Sequence, residues 1–224
     1  MMKDSFDTVI KISSERAELV IEQESKGVVS RKTMTPETFF KAILGSRYDE
    51  GVHPTGLLPE HCFSVTLTGP NILFYLRYPE LCADISYHGT EYIGFPLPRL
   101  VFAFLYMPEC GKIGNARLAV IKDERLTPET VIYTYPFSNV FGDHRICLGN
   151  NALPIYKDPT RIHTLMRLIL SFPNNDDMFS EKNNKLGMGY RDLLEHLKDK
   201  DPAYYYTDVL IPTKNTLKDF MNGR

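Results

Sequence analysis

Hydrophobic and polar positions change their period once along this chain, near Pro154. Before that point, short β-branched and aromatic runs alternate with turn residues; beyond it, apolar residues recur at helical spacing. Strands are predicted over residues 62–68, 71–78, 82–87, 100–107, 116–122 and 131–135. Gly-Pro, Tyr-Pro-Glu and Gly111-Lys112-Ile113-Gly114-Asn115 turns divide them, so they read as an antiparallel meander. The last of these turns lacks the Lys-Ser/Thr ending and following helix of a phosphate loop, and is assigned to a hairpin. Near the N-terminus, runs at 8–12 and 17–21 flank a polar stretch at 13–16 and predict a further hairpin. Thr35-Pro36-Glu37 then supplies a cap and an N1 proline for a short helix through Phe39, Phe40 and Ile43, ending near Leu44 with Gly45 as its C-cap. Past Pro154, Asp158-Pro159 opens a helix whose Ile162, Leu165, Met166, Ile169 and Leu170 form one stripe. Residues 180–189 are polar, and Tyr190, Leu193, Leu194 and Leu197 mark a second helix. Strands first and helices last predict an α+β domain. Its expected organisation is a hairpin and helix extension over residues 1–55, followed by the main domain with its C-terminal helices over 56–224.

Composition narrows the functional classes. At 224 residues and 43% hydrophobic, the chain can bury a substantial core. Its 26 basic and 28 acidic residues are scattered, leaving a formal charge of -2 and no field suited to nucleic acid or an anionic membrane. The longest apolar runs fall far short of the ~20 residues of a spanning helix. The opening Met1-Met2-Lys3-Asp4 lacks an apolar signal segment, so a cytoplasmic location is expected. Cys62, Cys82, Cys110 and Cys147 form no CxxC pair and read as free thiols. Of these, Cys62, Cys82 and Cys110 are expected to serve packing. His61, His88 and His163 lack ligand-like spacing, so no metal site and no cofactor is expected.

Chemistry is expected between the meander and the first long helix, at Tyr135-Pro136-Phe137-Ser138-Asn139-Val140-Phe141-Gly142-Asp143-His144-Arg145-Ile146-Cys147-Leu148-Gly149. This segment resembles the E2 ubiquitin-conjugating family, whose hallmark is a His-Pro-Asn triplet followed eight residues after its Asn by Cys-Leu. Asn139 precedes Cys147 by that interval, and Ile146-Cys147-Leu148 matches the Ile-Cys-Leu core. Phe137 and Ser138 stand in place of the triplet's His and Pro, and His144 where glycine is usual. Downstream, Pro173-Asn174-Asn175-Asp176-Asp177 is similar to the Pro-Asn-x-Asp-Asp stretch that follows the active-site helix in E2 enzymes. A closer similarity is to prokaryotic E2 family D, also known as PRTRC system protein B. It is carried by Gly56-Leu57-Leu58-Pro59, Phe95-Pro96-Leu97-Pro98-Arg99-Leu100-Val101-Phe102, Thr127-Pro128 with Thr130 and Tyr133, and Asn139 through Cys147-Leu148-Gly149-Asn150.

The resemblance implies an E2 (UBC-like) fold and a bacterial conjugating enzyme. In that reading a ThiF-like E1 activating enzyme passes a ubiquitin-like modifier to Cys147 as a thioester, and an amine on a protein target then attacks it. Cys147 is the implied nucleophile, and Asn139 either donates to the oxyanion or braces the loop that does so. Asp177, with Asp176 as the lesser candidate, orients the incoming lysine and assists its deprotonation. Arg145 and His144 are candidate supporting groups that would favour a thiolate. Each has a plainer competing role: Asn139 as a turn residue, Asp176 and Asp177 as a solvated helix end, His144 as a solvent-facing turn residue. Two other functions stay open, namely a non-catalytic adaptor that binds the modifier or its E1, and a cysteine hydrolase using a histidine such as His163 against Cys147.

Overall fold

The computed structural model describes residues 7–12, 18–25, 28–47 and 56–223. The chain divides into two compact units, Met1–Thr55 and Gly56–Arg224. In the first, strands β1 (Asp7–Ile12), β2 (Leu19–Ser25) and β3 (Val28–Met34) form an antiparallel sheet in that order. The expected hairpin is therefore extended by a third strand, and its turn at 13–16 lies outside the described residues. Strand β3 carries charged residues that hide its pattern from a hydrophobic reading. Pairing explains them: Arg31 lies opposite Glu22, which also takes Lys11 at 2.6 Å. Helix α1 (Pro36–Arg47) begins as expected, with the Thr38 N–H donating to the Thr35 hydroxyl at 3.2 Å. It runs through Gly45 to Arg47, so Gly45 is an interior residue and not the C-cap.

The second unit is built on strands β4 (Cys62–Thr68), β5 (Asn71–Arg77), β6 (Cys82–Tyr87), β7 (Thr90–Pro96), β8 (Arg99–Met107), β9 (Lys112–Ile121), β10 (Val131–Tyr133) and β11 (Pro212–Thr216). Six of them form an antiparallel sheet in the order β11-β10-β9-β8-β5-β4, while β6 and β7 form a separate two-stranded sheet. The meander is thus interrupted: β5 pairs with β8, and the β6–β7 hairpin leaves the sheet between them. Strand β7 was invisible to pattern because Gly94 and Pro96 punctuate it. The turn between β8 and β9 ends at Gly111, which lies at φ +69, where a Cβ would stand 2.5 Å from the Tyr156 carbonyl oxygen. Only glycine fits there, and the Gly111 carbonyl in turn accepts the Tyr156 N–H at 2.7 Å.

Both faces of the sheet are covered, which is why β5 and β8 read as nearly unbroken apolar runs. Phe74, Leu76, Phe102 and Phe104 face one core, together with Leu165 of α2 (Thr164–Leu170) and Leu194 of α3 (Tyr190–Leu197). Alternate residues Tyr75, Val101 and Ala103 face a second core closed by Leu217 and Phe220 of α4 (Leu217–Met221). The five-residue stripe predicted after Asp158 is buried throughout. It is shared between a 3₁₀ turn, Pro159–His163, and α2, because Asp158 caps the Thr160 N–H and tightens the first turn. Strands do not all precede helices: β11 returns after α3 to pair with β10. The Thr130 carbonyl accepts the Leu217 N–H at 2.7 Å and the Pro128 carbonyl accepts the Lys218 N–H at 3.0 Å, so the Thr127-Pro128 turn seats α4. The architecture is a mixed α and β chain with antiparallel sheets. Among the described residues no helix is long and apolar enough to cross a membrane.

Candidate active site

The interval between Asn139 and Cys147 is the length of a closed hairpin. The Cys147 N–H donates to the Asn139 carbonyl at 2.7 Å, Val140 bridges Ile146, and the Phe141 N–H donates to the Arg145 carbonyl at 2.8 Å. At the tip the His144 N–H donates to the Phe141 carbonyl at 2.9 Å. This hairpin docks on the edge of β9 through Leu118 N–H to His144 carbonyl and Ile146 N–H to Ala116 carbonyl, both 2.9 Å. Asn139 and His144 both lie at positive φ, 64° and 69°, and asparagine is one of the few side chains that occupies this region readily. Cys147 is half-buried. With Asn139, Ile85 and Phe172 it lines a small pocket whose free volume, about 20 Å³, is that of a single water.

Opposite the hairpin runs the segment that follows α2. Asn174 is inserted against the end of β6, with its N–H donating to the Ser86 carbonyl at 2.8 Å and a parallel bridge to Tyr87. The Asn139 side chain donates to the Pro173 carbonyl at 3.1 Å, which joins the two halves of the site. Asp176 is anchored by two side chains, accepting from the Tyr87 hydroxyl at 2.7 Å and meeting His88 Nε2 at 3.2 Å. The Tyr87 hydroxyl first, then His88, hold its carboxyl below the usual carboxylate range. Among the described residues Asp177 is tied within its own turn, accepting from Asn175 Nδ2 at 2.9 Å while its N–H donates to Asn175 Oδ1 at 2.8 Å. Cys147, Asn139 and Asn174 are therefore brought together around one pocket, whereas neither Asp176 nor Asp177 lines it.

The two supporting residues are placed otherwise. Arg145 is exposed, pairs with Asp143 at 2.7 Å and lies over the Phe141 ring. His144 is not the solvent-facing turn residue expected from its alternation with Ile146. It is 5% exposed and packs edge-on against Phe220 of α4, with ring centroids 5.7 Å apart. Its positive φ breaks the strand alternation and turns the ring toward the second core. Burial there pulls its pKa below the ordinary 6.5 and keeps the imidazole neutral. An unfolded chain takes up this proton near pH 6.5 and the folded chain resists it. The contribution to stability is accordingly complete above the unfolded value and is lost as pH falls below it toward the folded value. His144→Asn, which tolerates positive φ, should flatten the fall in the urea midpoint between about pH 7 and pH 5. An unchanged slope in that variant would assign the acid sensitivity to other groups.

His163 turns from the thiol: Nδ1 meets the Thr160 carbonyl at 2.8 Å and Nε2 faces Glu60 at 3.9 Å, in a cavity distinct from the Cys147 pocket. Cys82 and Cys110 are exposed and contribute little to packing, contrary to expectation; Cys62 is half-buried. Among the described residues no group of three or more His, Cys, Asp and Glu is placed to hold a metal ion.

Several residues of the site carried no readable signal. Phe137 is 2% and Ser138 1% exposed. Phe137 sits among Phe95, Tyr135, Tyr190 and Tyr205 at centroid distances of 5.3–6.3 Å. The Ser138 hydroxyl donates to Asn174 Oδ1 at 2.8 Å, and the Tyr190 hydroxyl donates to the same atom at 2.9 Å. Burial raises the Tyr190 pKa to about 12, so it remains a donor. Only the departure of Phe137 and Ser138 from His-Pro pointed here, and it did not say what replaces that pair.

A sequence model of prokaryotic E2 family D matches residues 64–213. The match takes in the whole 139–147 hairpin, the 173–177 segment and both helices that frame the pocket. No curated protein matches, and neither does any solved structure.

Proposed function

The chain belongs to prokaryotic E2 family D, and from that premise we propose that it is an E2-like conjugating enzyme with Cys147 as its carrier residue. The observation that carries this reading is the closed 139–147 hairpin, which sets Cys147 and Asn139 on facing strands beside the 173–177 segment. A UBC-like fold is part of the proposal, supported by the succession of antiparallel strands, active-site hairpin and packed helix α2. The Cys147 thiolate attacks the thioester carbonyl of a ubiquitin-like modifier held on a ThiF-like E1. The E1 sulfur leaves as thiolate and the modifier now rides on Cys147. An amine of the target protein then attacks the same carbonyl, Cys147 departs as thiolate, and the amine's proton passes to Asp177 or to solvent. The pocket beside Cys147 is too small to enclose a small-molecule substrate, so the modifier's tail would lie across the surface above it.

Asn139 supports the second of its two expected roles, since its amide hydrogens are engaged at Pro173 and so brace the hairpin against the downstream segment. Asp177 is assigned to the incoming amine because Asp176 is already anchored by Tyr87 and His88. Mixing the protein with a ThiF-like E1, a ubiquitin-like protein and ATP should give an adduct that thiol reductant removes. A complex that forms without any covalent adduct would favour the adaptor function instead.

Loading and discharge separate Asp177 from Cys147. Asp177→Ala should load at the normal rate, because thiol exchange needs no amine, and should discharge to free lysine about 100-fold more slowly, the low end for a positioned acid-base group. Single-turnover chase of preformed thioester with lysine measures this. Discharge at the parental rate would return Asp177 to a solvated turn.

A further inference from the structure

The part-buried polar contacts beside the pocket converge on one side chain. Asn174 Oδ1 accepts from Ser138 at 2.8 Å and from Tyr190 at 2.9 Å, and Asn139 Nδ2 approaches it at 3.5 Å. Its Nδ2 donates to the Ser86 carbonyl at 3.2 Å and the Phe172 carbonyl at 3.3 Å. One amide therefore ties together the hairpin strand before Cys147, helix α3, the end of β6 and the segment leading to Asp177. Ser138 and Tyr190 are nearly inaccessible, at 1% and 3%, and Asn174 is half-buried, so water cannot cheaply replace a bond lost by either hydroxyl.

We propose that Asn174 is a positioning residue for the Cys147 hairpin, acting through the Ser138–Asn174–Tyr190 hydrogen-bond cluster that occupies the place of the missing His-Pro pair. Its part in modifier transfer rests on the conjugating function proposed above; its part in holding the backbone does not. The chain of contacts is short. Ser138 precedes Asn139, the Asn139 carbonyl accepts the Cys147 N–H, and the Asn139 amide holds Pro173, the neighbour of Asn174. Loosening Asn174 therefore frees Asn139 on both sides and separates the hairpin from the segment that presents Asp177. Phe137 cannot supply this polar tie, since its ring is enclosed by aromatic side chains. The hydroxyl of Ser138, one residue later, supplies it instead.

Asn174→Ala removes every bond at once and risks global unfolding, so the decisive variants delete single hydroxyls: Ser138→Ala, Tyr190→Phe and the two combined. Hydrogen exchange of the Cys147 amide in the full-length protein reads the hairpin directly. We expect it to accelerate about three- to ten-fold in each single variant, the range of one hydrogen bond, and further in the double. Protection in the β8–β9 ladder, at Val101 and Ala119, should stay unchanged. In single-turnover discharge the maximal rate should fall while the half-saturating lysine concentration holds, as displacement of the site and not of the amine's binding requires. Unchanged Cys147 exchange in the double variant would overturn the proposal, and so would a uniform loss of protection that includes Val101 and Ala119. Should the parental protein form no thioester, the conjugating function fails, yet the exchange pattern still decides whether Asn174 positions the hairpin.

Discussion

Cys147→Ala should abolish the covalent adduct with the modifier, and Cys147→Ser should convert it into one that survives reductant. The expectation follows from the chemistry of the acceptor. A serine alkoxide is harder to form than a thiolate, so loading is slower, but the resulting oxyester resists aminolysis and accumulates. The competing thiols make the test sharp. Cys82 and Cys110 are exposed and thus accessible to adventitious acyl transfer, while Cys62 is half-buried with its Sγ 3.3 Å from the Ser64 carbonyl. Alanine at any of these three should leave the adduct intact on a non-reducing gel. Loss of the adduct in Cys82→Ala or Cys110→Ala, with retention in Cys147→Ala, would sink the assignment of Cys147.

Phe137→Ala should destabilise the second unit by about 3–5 kcal/mol, the usual range for emptying a fully buried aromatic site. The ring touches Tyr135 and Phe95 at 5.3 and 5.7 Å and Tyr205 and Tyr190 at 6.1 and 6.3 Å. These neighbours belong to separate elements, so they cannot collapse together into the void. Phe137→Leu keeps most of the volume and should cost less, about 1.5 kcal/mol. Tyrosine fluorescence is a suitable probe of urea unfolding because the chain has 13 tyrosines and no tryptophan. A shift of the midpoint at constant slope reports stability alone. A loss below about 1 kcal/mol for Phe137→Ala would mean that the hairpin relaxes into the cavity and that the cage is not what holds it.

The spacing of Asn139 and Cys147 was legible only through the resemblance to E2 enzymes; that it closes a hairpin is what the structure adds. The chemistry-bearing segment 173–177 was legible as a motif but not as a contact. Nothing local to Asn139 says that its amide reaches Pro173 34 residues away. The difference between Asp176 and Asp177 was illegible as well, since it depends on the β6–β7 tip, where Tyr87 and His88 meet Asp176 from 89 and 88 residues away. His144 was misread for a similar reason. Its partner Phe220 lies on a five-residue helix too short to give a periodic signal, and its positive φ cancels the alternation that a strand pattern assumes.

By itself the sequence determined the elements whose side chains repeat with a regular period. Strands β5, β6 and β8, the stripe through Ile162 and Leu170 and the Tyr190–Leu197 helix all follow from burial on one face or both. It also determined the chemical types available at the site, because a thiol and a carboxylate are what they are in any fold. Tertiary structure alone decided that β6 and β7 leave the sheet, that β11 returns to pair with β10, and that both cores close over the faces of β8. It alone made Asn174 a shared acceptor and His144 a buried neutral ring. The physical reason is range: periodicity records which face of an element is dry, whereas hydrogen-bond partners and desolvation are set by groups that the chain brings back from far along its length.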